Sequence, residues 1–510
     1  MTTSPDAPRR LAGVLLHPTS LPGPHGMGDI GRVARRFVDW LADAGLGVWQ
    51  VLPLNPTSNN SPYMCWSAFA GNPLLIDLEG LVQLDLLEAR DLHGAPPAGP
   101  IVDFDAVHAF KGPLLDRAAV TLVNRKEHPL AAAFAKFRET EGWARDAALF
   151  WALKQSYGNK PFWEWSVALR DRDPAALAKA EEEHARAIER ILATLFLFEH
   201  QWGELHAYAK GRGVKLMGDL PIYVDRDSVD VWCNQSLFDL GEGAVPSEIS
   251  GVPPDYFSEK GQLWGNPLYA WDTMAKDDFA WWRARLRRVL THTDVCRIDH
   301  FRAFSEYWAV KFGAADARGG RWRKGPGAAF FEAIRRHEGE LPLVAEDLGI
   351  IDDKVTELRK GAGLPSMRVL QFAFGGDAEN PHLPHNHEAD CVVYPATHDN
   401  DTMNGWWAAT SQETKIHAGL YVGILVEHAM RGDVAWDFVR AAMASVARLA
   451  VMPMQDILGL GTEARMNDPS TSKDNWRFRL AHDPFTPELA RKVRELCRLY
   501  GRLPAPARAD

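Results

Sequence analysis

Cysteine is scarce in this chain: five in 510 residues, at Cys65, Cys233, Cys296, Cys391 and Cys497, with no CxxC pair. An odd, scattered set of this kind excludes a disulfide framework and matches a reducing compartment, so a cytoplasmic location is expected. Excess positive charge is absent as well. The formal net charge is -10, which argues against a nucleic-acid surface, because phosphate binding needs concentrated Lys and Arg. No apolar run approaches the length of a membrane span. Residues 1–10 are polar, and the apolar run behind them is too short for the core of a secretory signal. There is no glycine-rich phosphate loop and no nucleotide, flavin or pyridoxal motif, so no cofactor is expected.

What is present is an ordinary globular composition, 46% apolar and 24% charged. The length exceeds what one core usually serves, which points to several domains or to one large barrel with insertions. Tryptophan is abundant at 19 residues. Most will be core, although sugar-binding enzymes also stack pyranose rings on aromatic faces.

Short apolar runs punctuate the chain at 11–16, 48–54, 214–221, 295–301, 343–349, 367–372, 391–394 and 450–454. Helical spacing lies between most of them, for example over 31–44 and 278–290. Strand and helix alternating in one direction imply a parallel sheet. The simplest architecture is a single (β/α)8 TIM barrel over residues 1–510 with large, mainly helical insertions on its C-terminal, active-site side. The first insertion covers about 56–212 and is largely helical, with one packing helix expected over 175–210. The second covers about 220–275. A doubly wound sheet is the alternative, but it would want the missing phosphate loop.

In such a barrel the C-terminal strand ends form the active site. Four of them carry carboxylates: Asp219, Asp299, Glu346 and Asp399. Each alone could cap a helix; four on one face need a use. A hard cation held by oxygen ligands is one. Glycoside chemistry is another, with one ionised carboxylate as nucleophile and one protonated carboxyl as acid, about 5–5.5 Å apart in a retaining enzyme. Arg297 shares a strand face with Asp299 and favours its charged form. Glu346 ends an apolar run with no adjacent cation, which suits the acid. Asp399, beside His398, could grip sugar hydroxyls.

The motifs Arg297-Ile298-Asp299-His300-Phe301, Ala345-Glu346-Asp347-Leu348-Gly349 and Thr397-His398-Asp399-Asn400 resemble the catalytic motifs of the amylomaltases. These are 4-α-glucanotransferases, or disproportionating enzymes, of glycoside hydrolase family 77 in the α-amylase clan. The segments at 17–23, 61–63, 67–73, 218–221, 251–257, 261–267 and 455–461 are similar to further motifs of that family. The resemblance implies a retaining double displacement that transfers α-1,4-glucan segments from a maltodextrin donor to glucose or a maltodextrin acceptor. It implies Asp299 as nucleophile, Glu346 as acid/base and Asp399 as transition-state stabiliser; the sugar-chemistry reading of the acidic tips calls for no metal. It places Ser61, Tyr63, Asp219, Arg297, His398 and Asn467 around the bound sugar, and Trp264 beside the acceptor. The chain departs from the family near 468–478, where Ser470, Asp474 and Phe478 stand at positions usually held by Gly, Gly and Trp.

A transferase must keep water from the intermediate. The expected lid is 249–257, with Gly251 as hinge, Pro253 and Pro254 as stiffeners, and Asp255, Tyr256 and Phe257 at its tip. Plain α-glucan hydrolysis and a non-catalytic glucan-binding role are the competing readings. His382, His385 and His387 are expected to serve a loop rather than a metal, since the intervening prolines break ligand spacing.

Overall fold

All eight apolar runs form strands, because a strand buried on both faces of a parallel sheet must be apolar along its whole length. In the computed structural model, which describes residues 9–254, 258–471 and 473–505, they are β1 (Leu11–Leu15), β2 (Val48–Gln50), β3 (Lys215–Leu220), β4 (Val295–Ile298), β5 (Leu343–Ala345), β6 (Ser366–Val369), β7 (Cys391–Tyr394) and β8 (Leu449–Pro453). They hydrogen-bond in the order β6-β7-β8-β1-β2-β3-β4-β5, every pair parallel. The ring closes between β5 and β6 through two bonds: the Ala345 N–H donates to the Pro365 carbonyl at 3.0 Å, and the Met367 N–H donates to the Asp347 carboxylate at 2.7 Å. The fold is a (β/α)8 barrel. Two large buried side chains on its strands show how polar atoms are paired there. Trp49 donates from its indole to the Leu16 carbonyl at 2.7 Å, and the Tyr394 hydroxyl donates to Gln50 Oε1 at 2.9 Å.

Between β2 and β3 the chain makes a helical layer, chiefly Phe104–Asn124, Gly142–Ser156 and Ala185–Gly211. The single helix expected over 175–210 is two, Pro174–Glu183 and Ala185–Gly211, joined at His184. The halves bury different amounts. Only Ala180 is buried in the first, whereas the second buries a stripe including Ile188, Leu195 and Phe198, so the long half follows the core and the short half does not. The loop after β2 lies against this stripe. A Cβ on Gly71 would sit 1.9 Å from the Phe198 ring, and only glycine permits that approach.

The second insertion, expected over about 220–275, supplies two strands of a separate sheet. Gln262–Pro267, Glu248–Val252, Glu306–Lys311 and Arg321–Lys324 form a four-stranded antiparallel sheet in that order. Its strands are short and carry charge, Glu248 pairing with Arg321 at 2.9 Å and with Arg323 at 3.0 Å, so their apolar alternation is faint. The sheet corrects the lid reading. Ile249 to Val252 are strand residues, and Gly251 pairs with Leu263 on one side and Trp308 on the other. It is a close-packing position and not a hinge, since a Cβ there would lie 2.5 Å from the Gln262 carbonyl oxygen. Pro254 is exposed just past the strand. Asp255, Tyr256 and Phe257 lie outside the described residues.

Candidate active site

Parallel strands of one ring end on one side, and the tips of β3, β4 and β5 bring their carboxyl groups together. Asp219 is the penultimate residue of β3, Asp299 follows β4 and Glu346 follows β5. Arg297, on β4, is the hub. Its Nη1 donates to both oxygens of Asp219 at 2.7 Å, and its Nη2 lies 3.0 Å from Asp299 Oδ1. The guanidinium is 3% exposed and the Asp299 side chain 23%, so the open face of Asp299 is the one a reactant can reach.

Asp299, Glu346 and Asp399 are set to different states. Burial pushes Asp299 up to about 6, outweighing the pull of Arg297, with Asp219 adding to the rise. Arg297 favours the charged form of Asp299, as the shared strand face led one to expect. The cation is shared with Asp219, and desolvation is the larger influence; the group is still ionised at neutral pH. Burial drives Glu346 well above the usual carboxylate range; Arg297 opposes this and the charge on Asp299 reinforces it. At Asp399 burial acts upward but is overcome by His398 and by the Asn467 amide, which hold the carboxyl far below its ordinary value.

Glu346 is held by the backbone. Its Oε2 accepts the His300 N–H at 2.7 Å and its Oε1 accepts the Leu348 N–H at 3.0 Å. His300 achieves this by taking the left-handed conformation, φ 48°, uncommon for a residue with a side chain. Trp264 sits edge-on to the His300 ring, centroids 4.8 Å apart, which puts it beside Glu346's support. Asp347 faces elsewhere. Apart from the Met367 N–H, it pairs with Arg359 at 3.2 Å and Arg368 at 3.6 Å.

Beyond β7, His398 and Asp399 join the cluster through Tyr63. The Tyr63 hydroxyl donates to Asp219 Oδ2 at 2.6 Å and lies 2.7 Å from His398 Nε2, and the two rings stack at 5.4 Å. His398 Nε2 lies 3.3 Å from Asp399 Oδ2, and Asn467 donates to Asp399 Oδ1 at 2.7 Å. Ser61 stands one step back, its hydroxyl accepting the Tyr63 N–H at 3.3 Å. The structure thus connects Ser61, Tyr63, Asp219, Arg297, Asp299, His398, Asp399 and Asn467 in one network. Glu346 and Trp264 meet at His300, on the Asp299 side.

Two participants escape the sequence reading. Trp476 packs its ring 5.5 Å from Tyr63 and 6.0 Å from His398. Arg465 donates to the Asp399 carbonyl at 3.2 Å and the Asn467 carbonyl at 2.8 Å. Trp476 adjoins the departures from the family pattern, which was the available signal. Those departures are absorbed locally: Asp474 takes φ 62° and accepts from Arg477 at 2.8 Å, Ser470 donates to Asp468 at 2.7 Å, and Phe478 is buried. The loop histidines have local partners. His382 accepts the Val369 N–H, His385 contacts the Tyr421 hydroxyl, and His387 contacts the Ser445 hydroxyl.

A family model described as 4-alpha-glucanotransferase matches residues 16–484. A chloroplastic/amyloplastic 4-alpha-glucanotransferase of Arabidopsis thaliana is 46% identical over 502 residues, covering 97% of this chain and 86% of that protein. A 4-alpha-glucanotransferase of Thermus thermophilus is 44% identical over 501 residues, covering 97% of this chain and 99% of that one. Among solved structures, the amylomaltase from Streptococcus agalactiae in complex with acarbose is similar with a TM-score of 0.93 and 36% identity, over 97% of this chain and 100% of that chain.

Proposed function

The chain belongs to the 4-alpha-glucanotransferase family, and from that premise we propose that it moves α-1,4-glucan segments between maltodextrins through a covalent glycosyl-enzyme intermediate. One observation carries the mechanism: neighbouring strand tips hold Asp299 against Arg297 and a buried Glu346 whose hold on its proton burial strengthens, the pairing that retaining glycoside chemistry needs.

In the first step an Asp299 oxygen attacks the anomeric carbon of the donor while Glu346 gives its proton to the departing glycosidic oxygen. The products are a glycosyl ester on Asp299 and a shortened glucan. In the second step the 4-hydroxyl of an acceptor glucan attacks that ester. Glu346, now a carboxylate, takes the hydroxyl proton, and Asp299 leaves as it was. Asp399, ionised and steadied by His398 and Asn467, grips sugar hydroxyls next to the reacting carbon. Arg297 holds Asp299 in line. Trp264 offers an acceptor ring a face next to Glu346's support.

Maltotriose separates transfer from hydrolysis. Transfer yields glucose and a ladder of longer maltodextrins at nearly constant total reducing ends. Reducing ends that climb steadily from the start would make this chain a hydrolase. Trapping with a fluorinated glucosyl fluoride should label Asp299 in peptide mass spectrometry, and a label on another residue would overturn the assignment.

A further inference from the structure

Two motifs have no part in the chemistry above: the loop opened by His17 after β1, and the segment containing Asp456 after β8. They meet the turn that carries His398 around a small cavity lined also by Asp401, Gln455 and Arg465. Counted as room for the centre of a water molecule, its volume is about 20 Å³, and about 10–15 Å³ of such room holds one water. His17, His398 and Asp456 are 7%, 5% and 0% exposed. Each has one buried polar atom without a hydrogen-bond partner among the described residues: His17 Nδ1, His398 Nδ1 and Asp456 Oδ2. The other Asp456 oxygen accepts the Met403 N–H at 2.7 Å. Buried polar atoms are seldom left unpaired; three on residues that line one water-sized space share a common remedy.

We propose that a water molecule in this cavity bridges His398 Nδ1, His17 Nδ1 and Asp456 Oδ2, which makes His17 and Asp456 positioning residues for His398. The proton inventory is consistent with this. Tyr63 gives its hydroxyl proton to Asp219, so its oxygen is left to accept, and the Asp399 carboxylate can only accept. His398 therefore carries a hydrogen on Nε2, and in the neutral ring Nδ1 is the acceptor. The water donates one hydrogen to His398 Nδ1 and the other to Asp456 Oδ2, and it accepts from His17 Nδ1–H. When Asp456 is protonated it donates to the water instead, and the bridge survives. His17 stays neutral, because burial pushes it down to about 3. A ring fixed from its Nδ1 side cannot turn over, so Nε2 keeps facing Tyr63 and Asp399 together.

This inference rests on His398 and Asp399 acting on the sugar as proposed above, and the test separates the two ideas. A crystal structure of the full chain at a resolution that shows ordered water should place one within hydrogen-bond distance of His398 Nδ1 and Asp456 Oδ2. The ¹⁵N signals of His398, assigned by their loss in His398→Gln, should report a single Nε2–H tautomer. His17→Phe and Asp456→Val should convert these signals to a mixture and lower kcat by about tenfold or more with little change in KM. Asp456→Asn should restore most of the rate. A cavity without water density, or His398 signals unmoved in His17→Phe, overturns the proposal even if the Asp456 variants do not fold. A changed signal with unchanged kcat overturns the positioning role while leaving the assignment of Asp299 to the labelling experiment.

Discussion

Asp299 shows what an active carboxylate costs a fold. Its ordinary value of 3.8 rises to about 6 on folding because burial disfavours the charge, and that difference corresponds to about 3 kcal/mol. The folded state binds the proton more tightly than the unfolded chain. This contribution to stability is therefore fully present below about pH 4 and lost as pH rises through 6. Asp299→Asn should abolish nearly all turnover and raise the melting temperature at pH 7, by less than the full amount because Arg297 loses one of its partners. The gain should shrink toward pH 4 in calorimetry; a variant less stable than the parent at pH 7 would contradict this account. Glu346→Gln removes the proton donor while keeping the shape. Its glycosylation step should slow strongly with maltodextrin donors and little with a glucosyl fluoride, whose leaving group needs no acid. Asp347→Asn should show no such selectivity in the same pre-steady-state comparison, since its carboxylate faces Met367, Arg359 and Arg368.

At the scale of elements, Asp347 is a seam residue. Replacing it with Ala would leave the Met367 N–H unpaired and remove a buried partner of Arg359, which is 3% exposed, a class of change that costs about 3–5 kcal/mol. Urea unfolding should show the unfolding free energy falling by that amount; a loss under about 1 kcal/mol would mean that the seam is held by something else. The sequence separates these roles only in part. Strand alternation puts Glu346 and Asp347 on opposite faces, and the eight barrel strands announce themselves as apolar runs. The four-stranded sheet beside β4 does not, because Arg321–Lys324 and Glu248–Val252 are short and bound by charge pairs as much as by a buried face. The proposed nucleophile and acid are legible because Asp299 and Glu346 directly follow strands, and Asp399 because it stands in the turn after one. Trp476 and Arg465 are not, because they reach the site from a loop whose path depends on hydrogen bonds between Asn475 and the 468–471 backbone, which no periodicity encodes.

For the molecule as a whole, the barrel is a hoop with one thin join. Seven of its eight contacts are strand ladders, and the eighth, between β5 and β6, rests on one backbone bond and one side-chain carboxylate. Local openings begin where the fewest bonds must break. The amides of Ala345 and Met367 should thus exchange with deuterium sooner than those of Val14, Trp49 or Ile298 in the ladders, and equal protection would dismiss the idea. Glu346 lies beside that join, between Ala345 and Asp347. Warming should therefore silence the enzyme before it melts: a fluctuation too small to register as unfolding carries the proton donor out of place, and cooling returns it. The join then acts as a reversible thermal fuse, wired in series with the residue proposed to give the proton.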